Sequence, residues 1–499
     1  MARPKKAAPA APVSPQAKLA AVIKAARDAM RKDAGLNGDL DRIPQLAWLL
    51  FLRAFDGNEE NRAVTEGKRF RPSIEEPYRW RDWASDPDGK TGEDLMKFVN
   101  DELLPYLRDL AGTGSHDPRD VLAAVFKETH NRMLSGYLLR DVVNKINEIN
   151  FASSDDVHTM ALLYESMLRE MRDAAGDSGE FYTPRPVIRF MVQQVAPKLG
   201  EVILDPACGT GGFLVEALDE LHPTLKTAEQ FRDLCDDLHG IEKKPMPYLL
   251  GMMNLVLHGI GQPNVVRGNA LARPITQIPR SEKVDVVLTN PPFGGEEEKS
   301  VLTNFPTATR TAETAWLFLQ LVVRQLKDGG RCGIVVPNGI LFADGVGAKI
   351  KKTLLTECNV HTIVRLPLGV FAPYTSIPSN LMFFEKTGRT REVWFYEIPV
   401  PEGRKNYSKT KPLRFEEFAD CQAWWGGKTR KGREETEYAW RVPVATIEEN
   451  GYNLDLKNPN RADDLAHRPP EELVAELLKT ESEIIGLLEE IRAELGVVS

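Results

Sequence analysis

No stretch of this 499-residue chain stays apolar long enough to span a bilayer, which excludes a membrane-spanning helix as an organising element. Cysteine is scarce. Cys208, Cys235, Cys332, Cys358 and Cys421 form no CxxC pair and no zinc spacing, so the expectation is reduced thiols, a cytoplasmic location and no metal site. A GxGxxG fingerprint and a P-loop GK[ST] are both missing, which argues against pyrophosphate and nucleoside triphosphate ligands. There is no PD…ExK nuclease signature either. Positive charge is not in excess: 64 basic against 72 acidic residues give a net charge of −8. That balance leaves a polyanionic partner open, because affinity follows local patches rather than the total. Lys349 to Lys352, Arg404 to Arg414 and Lys428 to Arg433 are basic clusters, each read first as a solvated face.

What is present is a globular composition, 42% hydrophobic and 27% charged, on a length that predicts two or three domains. Residues 1–15, basic and then Ala/Pro-rich, lack the apolar centre of a secretory signal and read as a disordered tail. Residues 16–175 read as an all-helical domain. AKLAAVIKAARDAMRK has helical spacing, and IPQLAWLLFLRAF follows Asp41 as a candidate N-cap with Pro44 in the first turn. EDLMKFVNDELLPYLRDL, PRDVLAAVFKETHNRML and VHTMALLYESMLREMRDA continue the pattern, while EEPYRWRDWASDPDG reads as a loop.

From Gly176 the rhythm changes to short β-branched runs alternating with helical segments, which predicts a doubly wound, largely parallel sheet over 176–390. VHTIVRLP and NLMFFEK would close it as a hairpin-like edge pair. Residues 391–468 read as an irregular extension carrying Trp394, Trp424, Trp425 and Trp440. Residues 469–499 read as an amphipathic helix.

VILDPACGTGGF places Gly209, Gly211 and Gly212 between a strand and a helix, where glycine lets backbone approach a ligand and the helix start offers free N–H groups. Asp205 at the strand end suits an ammonium group. Glu242, ending DLHGIE, stands where doubly wound folds bind ribose hydroxyls. Asn269, after NVVRG, stands where an adenine ring could be gripped.

VDVVLTNPPFGG runs a buried strand into Asn290-Pro291-Pro292-Phe293. Two prolines fix the backbone and remove two donors. The Asn290 side-chain carbonyl and the Pro291 carbonyl are two acceptors suited to one NH2 group, and Phe293 gives a face for a planar ring. Acceptors on both hydrogens of an aromatic amine favour pyramidal nitrogen and localise its lone pair toward an electrophile such as a methyl donor. No side-chain base is needed, so the rate comes from positioning and preorganised dipoles.

DPACGTGG, NPPF and the segment GEFYTPRPVIRFMV from Gly179 together resemble the class I S-adenosylmethionine-dependent N6-adenine DNA methyltransferases. Among these, the chain looks like the modification subunit of type I restriction–modification systems. The resemblance covers most of the chain. It implies a Rossmann-like α/β methyltransferase core with a helical N-terminal domain and a C-terminal helix for subunit docking. By resemblance Glu180, Phe181, Tyr182, Thr183, Pro184 and Arg185 flank the methionine moiety of the cofactor. Asp205, Pro206, Gly209, Thr210, Gly211 and Gly212 would contact its body, Glu242 its ribose, and Asn290 to Phe293 the target adenine.

The implied partners are double-stranded DNA, a specificity subunit, a second copy of the chain and a restriction (nuclease/translocase) subunit. Little space separates the glycine turn from NPPF, so a sequence-reading domain would have to follow NPPF or reside in another polypeptide; residues 390–465 look small for that task, and the resemblance implies that it belongs to the specificity subunit. The target base would have to be flipped from the stack, with GGEEEKSVLTNFPTATRTAE as a candidate lid. Methylation of a protein glutamine or an RNA base amine is the alternative, and a non-catalytic scaffold a third reading.

Overall fold

A computed structural model describes residues 15–112, 117–151, 154–175, 182–401 and 403–460, with Leu478, Glu481 and Ile485. The tail expected over 1–15 lies outside them apart from Pro15, as does the helix expected over 469–499 apart from those three residues, which are helical.

Every described element before residue 176 is helical. The long helix Asp39–Glu66 begins two residues before Asp41, so Gly38 is its cap and not Asp41. Asp39 and Asp41 sit instead in the first turn, where carboxylates complement the helix dipole. Pro44 consequently lies inside the helix rather than in its first turn. PRDVLAAVFKETHNRML is helical only through Phe126. Beyond it Arg108 donates to the Phe126 and Thr129 carbonyls (3.2 and 2.7 Å) and holds the chain in an irregular path. The Trp-rich segment expected as loop contains one short helix, Trp80–Trp83. Gly136 permits a close crossing, since a Cβ there would fall 1.9 Å from the Gly92 carbonyl oxygen.

Nine strands form one sheet in the order β3-β2-β1-β4-β5-β7-β6-β8-β9. They are β1 Ile203–Asp205, β2 Leu238–Glu242, β3 Asn264–Arg267, β4 Val284–Thr289, β5 Leu326–Pro337, β6 Asn359–Arg365, β7 Ser379–Glu385, β8 Glu392–Glu397 and β9 Ala439–Pro443. β3-β2-β1-β4-β5 are mutually parallel. Helices Arg185–Val195 and Gly212–Leu221 cover one face, and Thr314–Gln325 and Val346–Glu357 the other. The strand order reverses between β1 and β4, and a doubly wound sheet opens its ligand crevice at the carboxyl ends of strands at such a point.

Two expectations are corrected on the far side. β6 and β7 pair antiparallel but are interior strands, because β7 also pairs with β5, and β6 with β8. The extension after 390 is not irregular throughout: β8 and β9 carry the sheet outward, with Trp440 of β9 stacked on Phe395 of β8 (5.2 Å, 11°). About forty residues of loop and short helix separate these two strands, so neither shows as part of a continuous alternating run.

Helix Pro245–Leu257 is apolar nearly all round, the pattern of a helix buried on every side. Leu250, Met253 and Leu257 join the same core as Trp48, Phe51 and Phe126 of the N-terminal helices. The Tyr164 hydroxyl donates to the Leu250 carbonyl (3.2 Å). This helix is therefore the common wall between helical region and sheet. Leu250→Ala, at a fully buried site, is expected to cost about 2–5 kcal/mol in urea unfolding; a loss of only a few tenths would show that the wall is not packed as described.

Candidate active site

β1 ends at Asp205 and the chain turns through Pro206 to Gly212 into helix Gly212–Leu221. Gly209 (φ +52°) and Gly211 (φ +75°) take left-handed conformations that favour glycine, and the Gly211 N–H donates to the Cys208 carbonyl (2.7 Å). The wall helix presses on this turn: a Cβ on Gly251 would lie 2.7 Å from the Gly209 carbonyl oxygen. Asn254, fully buried, donates to the Thr210 carbonyl (2.9 Å). The turn is clamped from behind, so its open side faces a cleft of about 820 Å³, counting space open to solvent.

Carboxylates from two strand ends border the cleft. Asp205 accepts from the Thr289 hydroxyl (2.7 Å) and the Ala207 N–H (3.1 Å), both on Oδ1. Burial raises its carboxyl to about 7, against the lowering effect of those two hydrogen bonds, and Glu242 nearby adds to the rise. Glu242 accepts from the Gly209 and Lys244 N–H groups (2.9 and 2.7 Å), and its carboxyl is likewise raised by burial. Asn269 closes a local turn by accepting from the Leu271 N–H (3.0 Å), and its amide donates to Glu297 (3.2 Å). Glu297, from the loop after Phe293, also pairs with Lys243 (3.0 Å) at the rim.

β4 delivers Asn290 to the opposite wall. Its Nδ2 donates to the Thr183 hydroxyl (2.9 Å), while its Oδ1 is buried and has no partner among the described residues. Buried carbonyl oxygens are almost always paired, so an orphaned one beside a cleft marks a place for a donor. Phe293 is buried, edge-on to Phe371 (5.4 Å, 75°) and tilted against Tyr374 (6.1 Å, 46°).

The fold thus gathers Thr183, Asp205, Pro206, Gly209, Thr210, Gly212, Glu242, Asn269, Asn290 and Pro292 around one cleft. Pro184, Gly211, Pro291 and Phe293 adjoin it without lining it. Tyr182 and Arg185 border a different depression, beside Glu165 and Glu216. Arg185 is committed to Glu165 and to the Gly212 carbonyl (2.8 Å), so it acts on the cleft by fixing the glycine turn. Glu180 and Phe181 lie outside the described residues. Thr289, Asn254, Lys243 and Glu297 escaped the sequence reading. Only Thr289 had a local signal, a hydroxyl that ends the apolar run Val286–Leu288 next to Asn290.

The sheet order and the position of these groups at its carboxyl edge are those of a class I S-adenosylmethionine-dependent methyltransferase fold. Comparison with known proteins narrows the class. The model of the family described as N-6 DNA Methylase matches residues 155–467, and that of the HsdM N-terminal domain matches residues 19–146. The chain belongs to the N-6 DNA methylase family and is an adenine-specific DNA methyltransferase.

Among its relatives, the EcoEI type I restriction enzyme methylase subunit of Escherichia coli is 48% identical over 96% of this chain and 98% of its own length. The EcoKI methylase subunit of Escherichia coli K12 is 28% identical over 73% of each chain. A crystal structure of a modification subunit of a putative type I restriction enzyme from Vibrio vulnificus YJ016 superposes with a TM-score of 0.80, at 52% identity, over 92% of this chain and 100% of that one.

Asp205 gives the site a pH signature. Its folded value, about 7, lies above the ordinary 3.8, so the folded form holds its proton more tightly than the unfolded form. The group's contribution to stability is full below about pH 4 and lost as pH rises through 7. Without ligand, Asp205→Asn is therefore expected to melt higher than the parent at pH 8, with the gap narrowing toward pH 5. An equal gap at both pH values would refute the burial of an ionisable Asp205.

Proposed function

We propose that this chain is the catalytic modification subunit of a type I restriction–modification system, transferring methyl from S-adenosylmethionine to N6 of adenine in double-stranded DNA. The observation that carries the reading is the orphaned Asn290 Oδ1 at the cleft. Thr183 holds the amide nitrogen, which leaves that oxygen as the uncommitted acceptor of the side chain.

The donor set fits the cofactor. Both bonds that Asp205 accepts fall on Oδ1, which leaves Oδ2 for an ammonium group and so restores the carboxylate that burial disfavours. Glu242, held by two backbone amides, keeps lone pairs for ribose hydroxyls. Gly209, Gly212 and Asn269 line the same cleft, which supports assigning the glycine turn to the cofactor body and Asn269 to its adenine ring. When bound, S-adenosylmethionine supplies an electrophilic methyl group.

The remaining work belongs to the chain. Asn290 Oδ1 accepts one N6 hydrogen of a flipped adenine and the Pro291 carbonyl the other, favouring a pyramidal nitrogen whose lone pair is withdrawn from conjugation with the ring. Pro292 narrows the wall, and Phe293, with Phe371 and Tyr374, supplies an aromatic flank for the base. Neither the proposed mechanism nor the donor set calls for a metal.

Residues 176–390 are assigned to catalysis, with β8 and β9 of the following segment completing the sheet, and 16–175 to a helical domain packed on helix Pro245–Leu257. The specificity subunit, a second copy of this chain and a restriction subunit are proposed partners, with 469–499 as the docking helix. A cytoplasmic location belongs to the same proposal; no described helix is long and apolar enough to cross a membrane. Family membership disfavours protein glutamine and RNA amines as substrates.

The test is Asn290→Ala, assayed with the specificity partner on duplex DNA containing its site. Methyl transfer is expected to fall at least ~100-fold, the scale of losing a preorganised polar contact, with cofactor affinity within about threefold of the parent. Loss of cofactor binding equal to the loss of transfer would contradict the role given to Asn290.

A further inference from the structure

A second cavity lies at the other end of the sheet. β6 runs parallel to β8, and through β7 to β5 and β4, so its first residues, Asn359 and His361, mark the edge opposite Asp205 and Asn290. There the β7–β8 connection and the loop before β9 enclose a groove of about 1390 Å³, counting space open to solvent. Arg389, Arg391, Arg430 and Arg433 line it, with the Trp394 indole and a single acidic residue, Glu392. An adjoining depression shares His361 and Arg430 and adds Lys198 and Lys428.

This accumulation of cations is not inherited from the chain as a whole, whose net charge is −8. Local carboxylates neutralise only part of it. Arg430 pairs with Glu385 (2.6 Å) and Arg389 with Glu448 (2.7 Å). Among the described residues, no carboxylate lies within ion-pair distance of Lys198, Arg391, Lys428 or Arg433. Arg433 is the most telling. It is wedged between Trp424 and Trp425 (4.6 and 4.7 Å to the ring centres), and among the described residues it donates only to the Trp425 carbonyl and the Thr362 hydroxyl (2.9 and 2.8 Å). Its other terminal nitrogen is buried without an acceptor. Burial, with Arg430 beside it, lowers its guanidinium to about 9. A cation in that state is short of an anion.

We propose that this groove binds a phosphate-bearing ligand, separately from the methyl-transfer cleft. Guanidinium groups match the geometry of a phosphate, and an indole beside them suits a nucleotide unit, whose base can stack while its phosphate is paired. The phosphate can belong to a nucleic-acid strand or to a free phosphate ester. An acidic protein segment lacks a stacking base and is the competing occupant.

The experiment uses the full chain and two probes, inorganic pyrophosphate and a twelve-residue oligothymidylate, which contains no adenine for the Asn290 pocket. Binding of at least one is expected, weakened tenfold or more in Arg391→Glu/Lys428→Glu. S-adenosylhomocysteine affinity and melting temperature should be unchanged. Both substituted side chains are exposed, and the single Arg391→Ala and Lys428→Ala variants serve if the double one does not fold. Oligothymidylate binding lost in the variant assigns the groove to nucleic acid; pyrophosphate binding alone assigns it to a free phosphate ester. Neither probe binding, binding that the substitutions leave unaltered, or displacement of both probes by polyglutamate at equal charge concentration would overturn the proposal.

Discussion

The Thr289 hydroxyl donates a hydrogen bond to Asp205 where β1 and β4 separate, and this single buried bond of 2.7 Å joins the two halves of the cleft. On one side it fixes the acid at the head of the glycine turn. On the other it fixes the residue before Asn290, and so the direction in which the tetrapeptide leaves the sheet. A site that transfers a small group between two bound molecules depends on the distance between their reacting atoms, and errors near 1 Å are costly. Placing the acid and the amine acceptor on adjacent parallel strands, with a direct tie, sets that distance by the sheet itself.

The rest of the structure can be understood as support for that tie. Helix Pro245–Leu257 backs the glycine turn through the missing side chain of Gly251 and the amide of Asn254. The same helix shares its core with the N-terminal helices, so the helical region stabilises the turn without reaching the cleft. Arg185 repeats the arrangement from another direction, anchored on Glu165 and holding the Gly212 carbonyl. Burial makes Asp205 costly to ionise when the cleft is empty, and a bound cation repays that cost. Stability given up in the empty site thus becomes affinity for a positively charged ligand.

What could be read from the sequence follows from what is local. The strand–turn–helix around Gly209, the strand-ending Glu242 and the rigid Asn290-Pro291-Pro292-Phe293 announce themselves within a dozen residues each, because backbone conformation and strand ends leave short-range signals. Pairings between distant segments leave none. Phe293 rests on Phe371 and Tyr374, more than seventy residues away, and nothing near Arg185 signals that Glu165 would claim it. β8 and β9 escaped for the same reason: β8 finds β6 across an intervening strand, and β9 finds β8 across a long stretch of loop and short helix. The early start of helix Asp39–Glu66 reflects the ambiguity of a run in which Gly38, Asp39 and Asp41 can all begin a helix.

Methylation of adenine N6 in DNA is the reaction that the arrangement of the cleft serves. It is tested most directly by sequencing the host genome for N6-methyladenine with the gene intact and with it deleted. A modified adenine is expected at one fixed sequence motif, disappearing on deletion and returning when the gene is restored. An unchanged methylation pattern, in a host that expresses the chain and its partners, would contradict it.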